Sequence, residues 1–234
     1  MMRVTLAGAE LAGLTVDRPG ASVRLLLPSP GTAELIIPRW QGNEFLLPDG
    51  NRATLRTFTP RRVDADRLEL DLDIVLHARG VASEWAATTE PGDPVAISGP
   101  GRGYEIELTA SHFVVAGDES AIPAIIQVTE ALPAHARATV DIEVAHPDAR
   151  ISLPDRPGLT TTWHDLPPGA PPGDALVPAV GAVDIDADTR VWVAGEAAAV
   201  QRIRRHLFTE LEVPRGHCTI RGYWKHGRGG EIDA

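Results

Sequence analysis

The hydrophobic rhythm of this 234-residue chain changes once, after Gly103, and that change constrains the fold more than any single motif. Before it, short and often alternating segments fall at 4–6, 22–27, 33–37, 54–59, 67–76 and 94–98. Turn chemistry separates them, as in Arg18-Pro19-Gly20, Pro28-Ser29-Pro30-Gly31, Pro48-Asp49-Gly50-Asn51 and Pro91-Gly92-Asp93. About six short strands at that spacing predict a small antiparallel barrel. After Gly103 the pattern becomes alternating β and α. His112-Phe113-Val114-Val115-Ala116-Gly117 is apolar throughout, as a strand covered on both faces of a parallel sheet must be. It leads into 120–126, where Pro123 suits a first helical turn. Residues 139–145 read as a second strand, and Arg190-Val191-Trp192-Val193-Ala194-Gly195 repeats the strand-then-glycine pattern. The helix after Gly195 carries Val200, Ile203, Leu207 and Leu211 at spacings of three, four and four. Those four are expected to face the sheet, with Arg202, Arg204 and Arg205 outward. A last strand is expected at 219–224, and the proline-rich run 167–173 as a loop. The expected architecture is two-domain: an antiparallel β-barrel over 1–105, then an α/β parallel-sheet domain over 106–234.

Composition narrows the setting. No apolar run approaches the roughly eighteen residues that signal a spanning helix, and the N-terminus enters alternating residues without a secretory signal. The expected compartment is the cytoplasm. Cys218 stands alone, so neither an internal disulfide nor a multi-cysteine metal site can form; a buried, inert thiol is its expected role. No ligand spacing points to zinc or iron, and no metal site is expected. A net charge of −10 argues against general nucleic-acid affinity. Yet 215–228 holds Arg215, Arg221, Lys225 and Arg228 with His217 and His226, and no acid. Such a patch can funnel a small anion. Because no helix pattern advertises an interface, a monomer is expected.

Three short segments carry chemistry. In Arg56-Thr57-Phe58-Thr59 a guanidinium offers a planar fork for phosphate oxygens, an aromatic ring offers a face, and hydroxyls offer donors to a ring edge. Gly80-Val81-Ala82-Ser83-Glu84-Trp85 reads as a turn into a helix over 83–89 with Ser83 as N-cap, where free backbone N–H groups attract a pyrophosphate. His77 falls at the rim of the same place as a hydrogen-bonding or stacking residue. Asp118-Glu119-Ser120-Ala121 follows the first parallel strand, and Gly195-Glu196-Ala197 holds the equivalent position after a later one, where open α/β sheets bind ligands. Together they outline a site for a flavin and a reduced nicotinamide. Each segment alone is equally an ordinary strand or turn. The loop His146-Pro147-Asp148-Ala149-Arg150 offers Asp148 to a ribose hydroxyl and Arg150 to a 2′-phosphate, so both NADH and NADPH find a partner, with a lean to NADPH.

The Arg-x-aromatic-Thr, Gly-x-x-Ser and late Gly-Glu segments resemble the ferredoxin-reductase superfamily. More narrowly, five segments in order resemble the siderophore-interacting proteins, a family of ferric-siderophore reductases. They are Asp73-Ile74-Val75-Leu76-His77, Ala82-Ser83-Glu84-Trp85-Ala86, the run 116–125 beginning Ala116-Gly117-Asp118, Trp192-Val193-Ala194-Gly195-Glu196, and Gly222-Tyr223-Trp224-Lys225-His226-Gly227. The resemblance implies an FAD-binding barrel followed by an NAD(P)H-binding domain, with electrons passing from NAD(P)H through FAD to a ferric siderophore. It implies FAD contacts from Arg56 to Thr59 and from Val75, His77, Gly80, Val81, Ala82, Ser83 and Trp85. Nicotinamide contacts fall on 118–121 and 195–197, and substrate contacts on Trp224, Lys225 and Arg228. The same scaffold also serves general flavin oxidoreductases, and a non-catalytic siderophore- or flavin-binding protein is the reading from another class. Three departures stand out: Phe58 where the family usually has tyrosine, Val81 in place of a frequent proline, and a start without the short N-terminal extension of many relatives. Flavin affinity below the family norm is expected.

Overall fold

The computed structural model describes residues 1–29, 32, 34–77 and 80–227. The chain divides into two compact units, one ending at Gly103 and the next beginning at Tyr104.

The first unit is built of β1 (Met2–Ala7), β2 (Val23–Leu26), β3 (Arg39–Trp40), β4 (Phe45–Leu46), β5 (Leu55–Phe58), β6 (Pro60–Asp64), β7 (Glu69–Ile74), α1 (Val81–Thr88) and β8 (Ala96–Ser98). Two antiparallel three-stranded sheets, β1-β7-β6 and β5-β2-β8, enclose one apolar core. Strand β7 shows why: Leu70, Leu72 and Ile74 are buried, while Asp71 and Asp73 between them face outward and take Thr5 and Arg3 from β1 as partners. From β2, Val23 and Leu25 close the same core, and Ala86 of α1 joins them.

The second unit contains β9 (His112–Asp118), α2 (Ile122–Ala131), β10 (Arg137–Val144), β11 (Leu159–Asp165), α3 (Leu176–Gly181), β12 (Thr189–Glu196), α4 (Ala197–Arg205) and β13 (Cys218–Trp224). These five strands form one parallel sheet in the order β11-β10-β9-β12-β13. Alternate residues of β9 serve opposite faces. Phe113 and Val115 join the core with α2, whereas Val114 and Ala116 join the core with α3 and α4. That two-sided burial is the physical cause of the unbroken apolar run. Among the described residues, no helix is long and apolar enough to cross a membrane.

Several local expectations need correction. Residues 34–37 form no strand, and Ala33 lies outside the described residues; a short β3–β4 hairpin with an edge-on Trp40–Phe45 ring contact follows instead. Helix α1 begins at Val81 with Gly80 as its N-cap, so Ser83 lies inside the helix. Leu211 is 44% exposed, unlike Val200, Ile203 and Leu207. A π-type turn over His206–Glu210 widens the helical repeat there and rotates position 211 off the sheet. Strand β11 and helix α3 have no counterpart in the expected set. Cys218 is half-buried, and burial pushes its thiol up to about 11, as an inert thiol requires.

Candidate functional site

In the first unit the antiparallel pairing sorts the 56–59 segment by face. Arg56 lies opposite Leu25 and Phe58 opposite Val23, so both share the core-facing side of β5. Arg56 is half-buried and donates from Nη1 to the Leu55 carbonyl at 2.7 Å. Phe58 packs against the core with part of its ring exposed. Thr57 points the other way, opposite Arg24, and is exposed. Thr59, past the strand end, is buried.

The turn into α1 has a defined construction. Ser83 Oγ donates to the Val75 carbonyl and accepts from the His77 N–H, both at 3.2 Å, fastening the helix to the end of β7. Ser83 is thus a brace between two chain segments rather than a cap. Val81, Ala82 and Trp85 pack toward the core. The exposed His77 ring covers Gly80 so closely that a Cβ there would collide with it. The first intrahelical bond runs from Glu84 N–H to the Gly80 carbonyl, and no side chain among the described residues caps the helix. The N–H groups of Val81, Ala82 and Ser83 therefore precede the helical ladder and are oriented for an anion. Val81 supplies a backbone donor that a proline there would lack.

In the second unit the strand order reverses between β9 and β12: the chain runs outward from β9 through β10 to β11, then returns to β12 and β13. The crevice at the carboxyl ends of β9 and β12 is where such sheets take ligands. Asp118 and Glu196 end those strands, yet they are 4% and 3% exposed. Asp118 Oδ1 accepts from Ser120 N and Oγ at 2.9 and 2.5 Å. Its Oδ2 accepts from Glu196 N at 2.7 Å and Trp224 Nε1 at 2.8 Å. Burial pushes the Asp118 carboxyl up, and the bonds from Ser120, Trp224 and Glu196 pull it back. Glu196 caps α4 by accepting from Ala199 N at 2.9 Å, and its other oxygen accepts from His226 N at 3.1 Å. Both carboxylates are turned onto the protein, and as placed they support the strand ends. Gly195 has the same cause: a Cβ there would lie 2.6 Å from Asp118 Oδ2.

The remaining predicted residues are placed as follows. Ser120 is half-buried and Ala121 fully buried, while Ala197 opens α4 half-buried. Glu119 is partly buried, accepts from Ala145 N, and its carboxyl is pushed up by burial. Arg150 is paired with Asp165 at 2.6 Å, and Asp148 with His146 at 3.3 Å. On β13 a bulge sets Glu196 opposite Trp224, letting Tyr223 pack edge-on to Trp192 while the next residue reaches Asp118. Lys225 follows and is exposed; Arg228 lies outside the described residues. Arg215 stacks over the Phe208 ring, 4.8 Å from its centroid. Glu143 was not anticipated: it is 3% exposed and accepts from Gly173, Ala175 and Leu176 N–H groups, holding the start of α3. It continues the polar period of Arg137, Thr139 and Asp141 in a strand whose alternate residues are Ala138, Val140, Ile142 and Val144, so the sequence marks it only as one more polar position.

Known proteins share this arrangement. Residues 1–104 match the siderophore-interacting FAD-binding domain and residues 110–227 the siderophore-interacting protein family. Ferric vibriobactin reductase ViuB of Vibrio cholerae is 29% identical over 234 residues, covering 99% of this chain and 86% of that protein. The NADPH-dependent ferric-chelate reductase of Escherichia coli is 26% identical over 228 residues, covering 95% of this chain and 86% of that protein. The crystal structure of a siderophore utilization protein from T. fusca superposes with a TM-score of 0.85 at 35% identity, covering 98% of this chain and 88% of that one. An FAD-type antiparallel unit followed by a parallel α/β unit, matched over nearly its whole length, makes this chain a member of the siderophore-interacting protein family.

Proposed function

We propose that this chain is a flavin-dependent ferric-siderophore reductase, drawing electrons from NADPH or NADH and acting in the cytoplasm as a monomer. The observation that carries the reading is the start of α1, which no side chain among the described residues caps, with three N–H groups ahead of the helical ladder in the same unit as the half-buried Arg56. When bound, FAD supplies the conversion of a two-electron hydride into single electrons. The balance is one NADPH and two ferric ions giving NADP⁺, two ferrous ions and one proton. Arg56 and the 81–83 N–H groups would hold the diphosphate, and Phe58 and Thr59 would hold the ring system. No side chain has to move a proton at the iron. Lys225, carried at the end of β13, attracts a chelate of net negative charge, and Trp224 beside it offers an aromatic edge. Reduction weakens the preference of iron for hard oxygen donors, and the metal leaves.

The test is an anaerobic titration. Flavin absorption near about 450 nm should bleach on addition of NADPH or NADH and return with a ferric siderophore, as a ferrous trap develops colour. Bleaching without reoxidation by the chelate would replace this reading with a general flavin oxidoreductase. A protein that cannot be loaded with FAD would leave a binding protein. For the nicotinamide, Arg150 is expected to trade Asp165 for a 2′-phosphate. Arg150→Ala should raise KM for NADPH about tenfold and move KM for NADH less than about twofold. Equal KM values before and after the change, in steady-state assays with both cofactors, would remove Arg150 from the site.

A further inference from the structure

We propose that Asp118 is a positioning residue for the ferric chelate, acting through Trp224 and Glu196 to fix where Lys225 stands. The inference rests on the reading of Lys225 as the residue that meets the chelate. Its basis is the way the chain on either side of Lys225 is held. Trp224 Nε1 donates to Asp118 Oδ2 at 2.8 Å, and His226 N–H donates to Glu196 Oε1 at 3.1 Å. The same Asp118 oxygen accepts from Glu196 N at 2.7 Å, so one buried carboxylate fixes the backbone that carries the other. Lys225 itself is exposed. An exposed ammonium on a flexible stem is thereby carried by a backbone pinned on both sides to the switch point of the sheet.

The energetics favour a rigid clamp. Both carboxylates are almost wholly buried, and each oxygen of Asp118 has two donors. A buried carboxylate so satisfied is retained at high cost if any donor is lost. The bulge at Gly195 and Glu196 is what allows Tyr223 to enter the core and Trp224 to turn toward Asp118. The Trp224 and His226 rings then meet edge-on, 6.2 Å between centroids, bracketing Lys225. The Glu196–Trp224 pair also closes the β12–β13 ladder and Glu196 caps α4, so the same network joins the end of the sheet to the segment that carries Lys225.

Four variants test the inference: Lys225→Gln, Asp118→Asn, Trp224→Phe and Asp118→Asn combined with Lys225→Gln. The probes are a trianionic ferric tricatecholate and a neutral ferric trihydroxamate. Lys225→Gln should raise KM for the trianion about tenfold, equivalent to about 1.4 kcal/mol, and spare the neutral chelate. Asp118→Asn should raise the same KM by a similar factor, and less than about twofold further once Lys225 is already glutamine. Trp224→Phe keeps an aromatic ring and three of the four bonds to Asp118, so it decides the matter if Asp118→Asn fails to fold. It should raise KM for the trianion, again with little further effect in the glutamine background. If Lys225→Gln leaves KM for the trianion unchanged, the reading of the substrate site fails and the inference goes with it. If Lys225→Gln raises it but neither Asp118→Asn nor Trp224→Phe does, the reading stands and the positioning role is overturned. Equal fold-changes in both backgrounds overturn it too, since Asp118 would then act elsewhere.

Discussion

Gly117→Ala should lower the melting temperature of the second unit by about 10 °C, a loss of about 3 kcal/mol. Gly117 lies on β9, the central strand. An added Cβ would sit 2.6 Å from the Ala194 carbonyl oxygen on β12 and 2.6 Å from Ala121 Cβ, with Ile125 Cδ1 at 3.3 Å. The first is backbone and the second the stub of a fully buried side chain, so neither can swing aside as the tip of a long side chain would. Either β9 and β12 part at the point where the strand order reverses, or the turn 119–121 lifts and takes Ser120 away from Asp118. Both damage the packing and the buried carboxylate together. Gly216→Ala is the matched control: nothing lies within 4 Å of its added Cβ, and its effect should stay within about 0.5 kcal/mol. Circular dichroism melts of the two variants make the comparison. A Gly117→Ala protein that melts within a degree or two of the parent would show that the turn yields freely.

How much of this was legible beforehand varies by element, for identifiable reasons. The change of rhythm at Gly103 foretold antiparallel sheets followed by a parallel one, because period two and unbroken apolar runs are imposed by one-sided and two-sided burial. Strand β11 escaped notice since Thr160, Thr161 and Thr162 sit on a sheet edge and need no apolar pattern. Helix α3 is only Leu176–Gly181 and contains Pro178, and its start is secured by Glu143 from a distant strand. No local signal encodes such a long-range cap.

The site residues divide in the same way. Arg56, Phe58 and the Gly80 turn suggest a phosphate and ring site by local residue type alone. Asp118 and Glu196 stand out by position at strand ends, but a sequence does not tell whether a carboxylate turns toward the crevice or back into the protein, as both do here. The partner that settles Asp118 is Trp224, far along the chain on β13. Thr57 was grouped with its neighbours although strand alternation sends it to the opposite face.

Arg56→Gln is expected to weaken FAD binding about a hundredfold, or about 2.7 kcal/mol, the scale of a lost charge-assisted pair of hydrogen bonds. The strand pairing is the reason to expect the effect at this side chain rather than at another arginine. Arg56 shares the core-facing side of β5 with Phe58, so the guanidinium and the ring approach a ligand from one surface. It is half-buried, where water competes less for its donors than at an exposed arginine. Arg56→Lys keeps the charge but loses the planar fork, and should cost about tenfold. Phe58→Ala removes ring contact without touching the phosphate and should add its own loss, while Thr57→Ala on the opposite face should change FAD affinity less than about twofold. Titration of flavin-free protein with FAD, followed by flavin fluorescence, measures all four. A hundredfold loss for glutamine with a smaller loss for lysine places the diphosphate on a forked donor. Equal affinities for arginine, lysine and glutamine at position 56 would leave the α1 N-terminus to hold the diphosphate alone, and the assignment of Arg56 would have to be withdrawn.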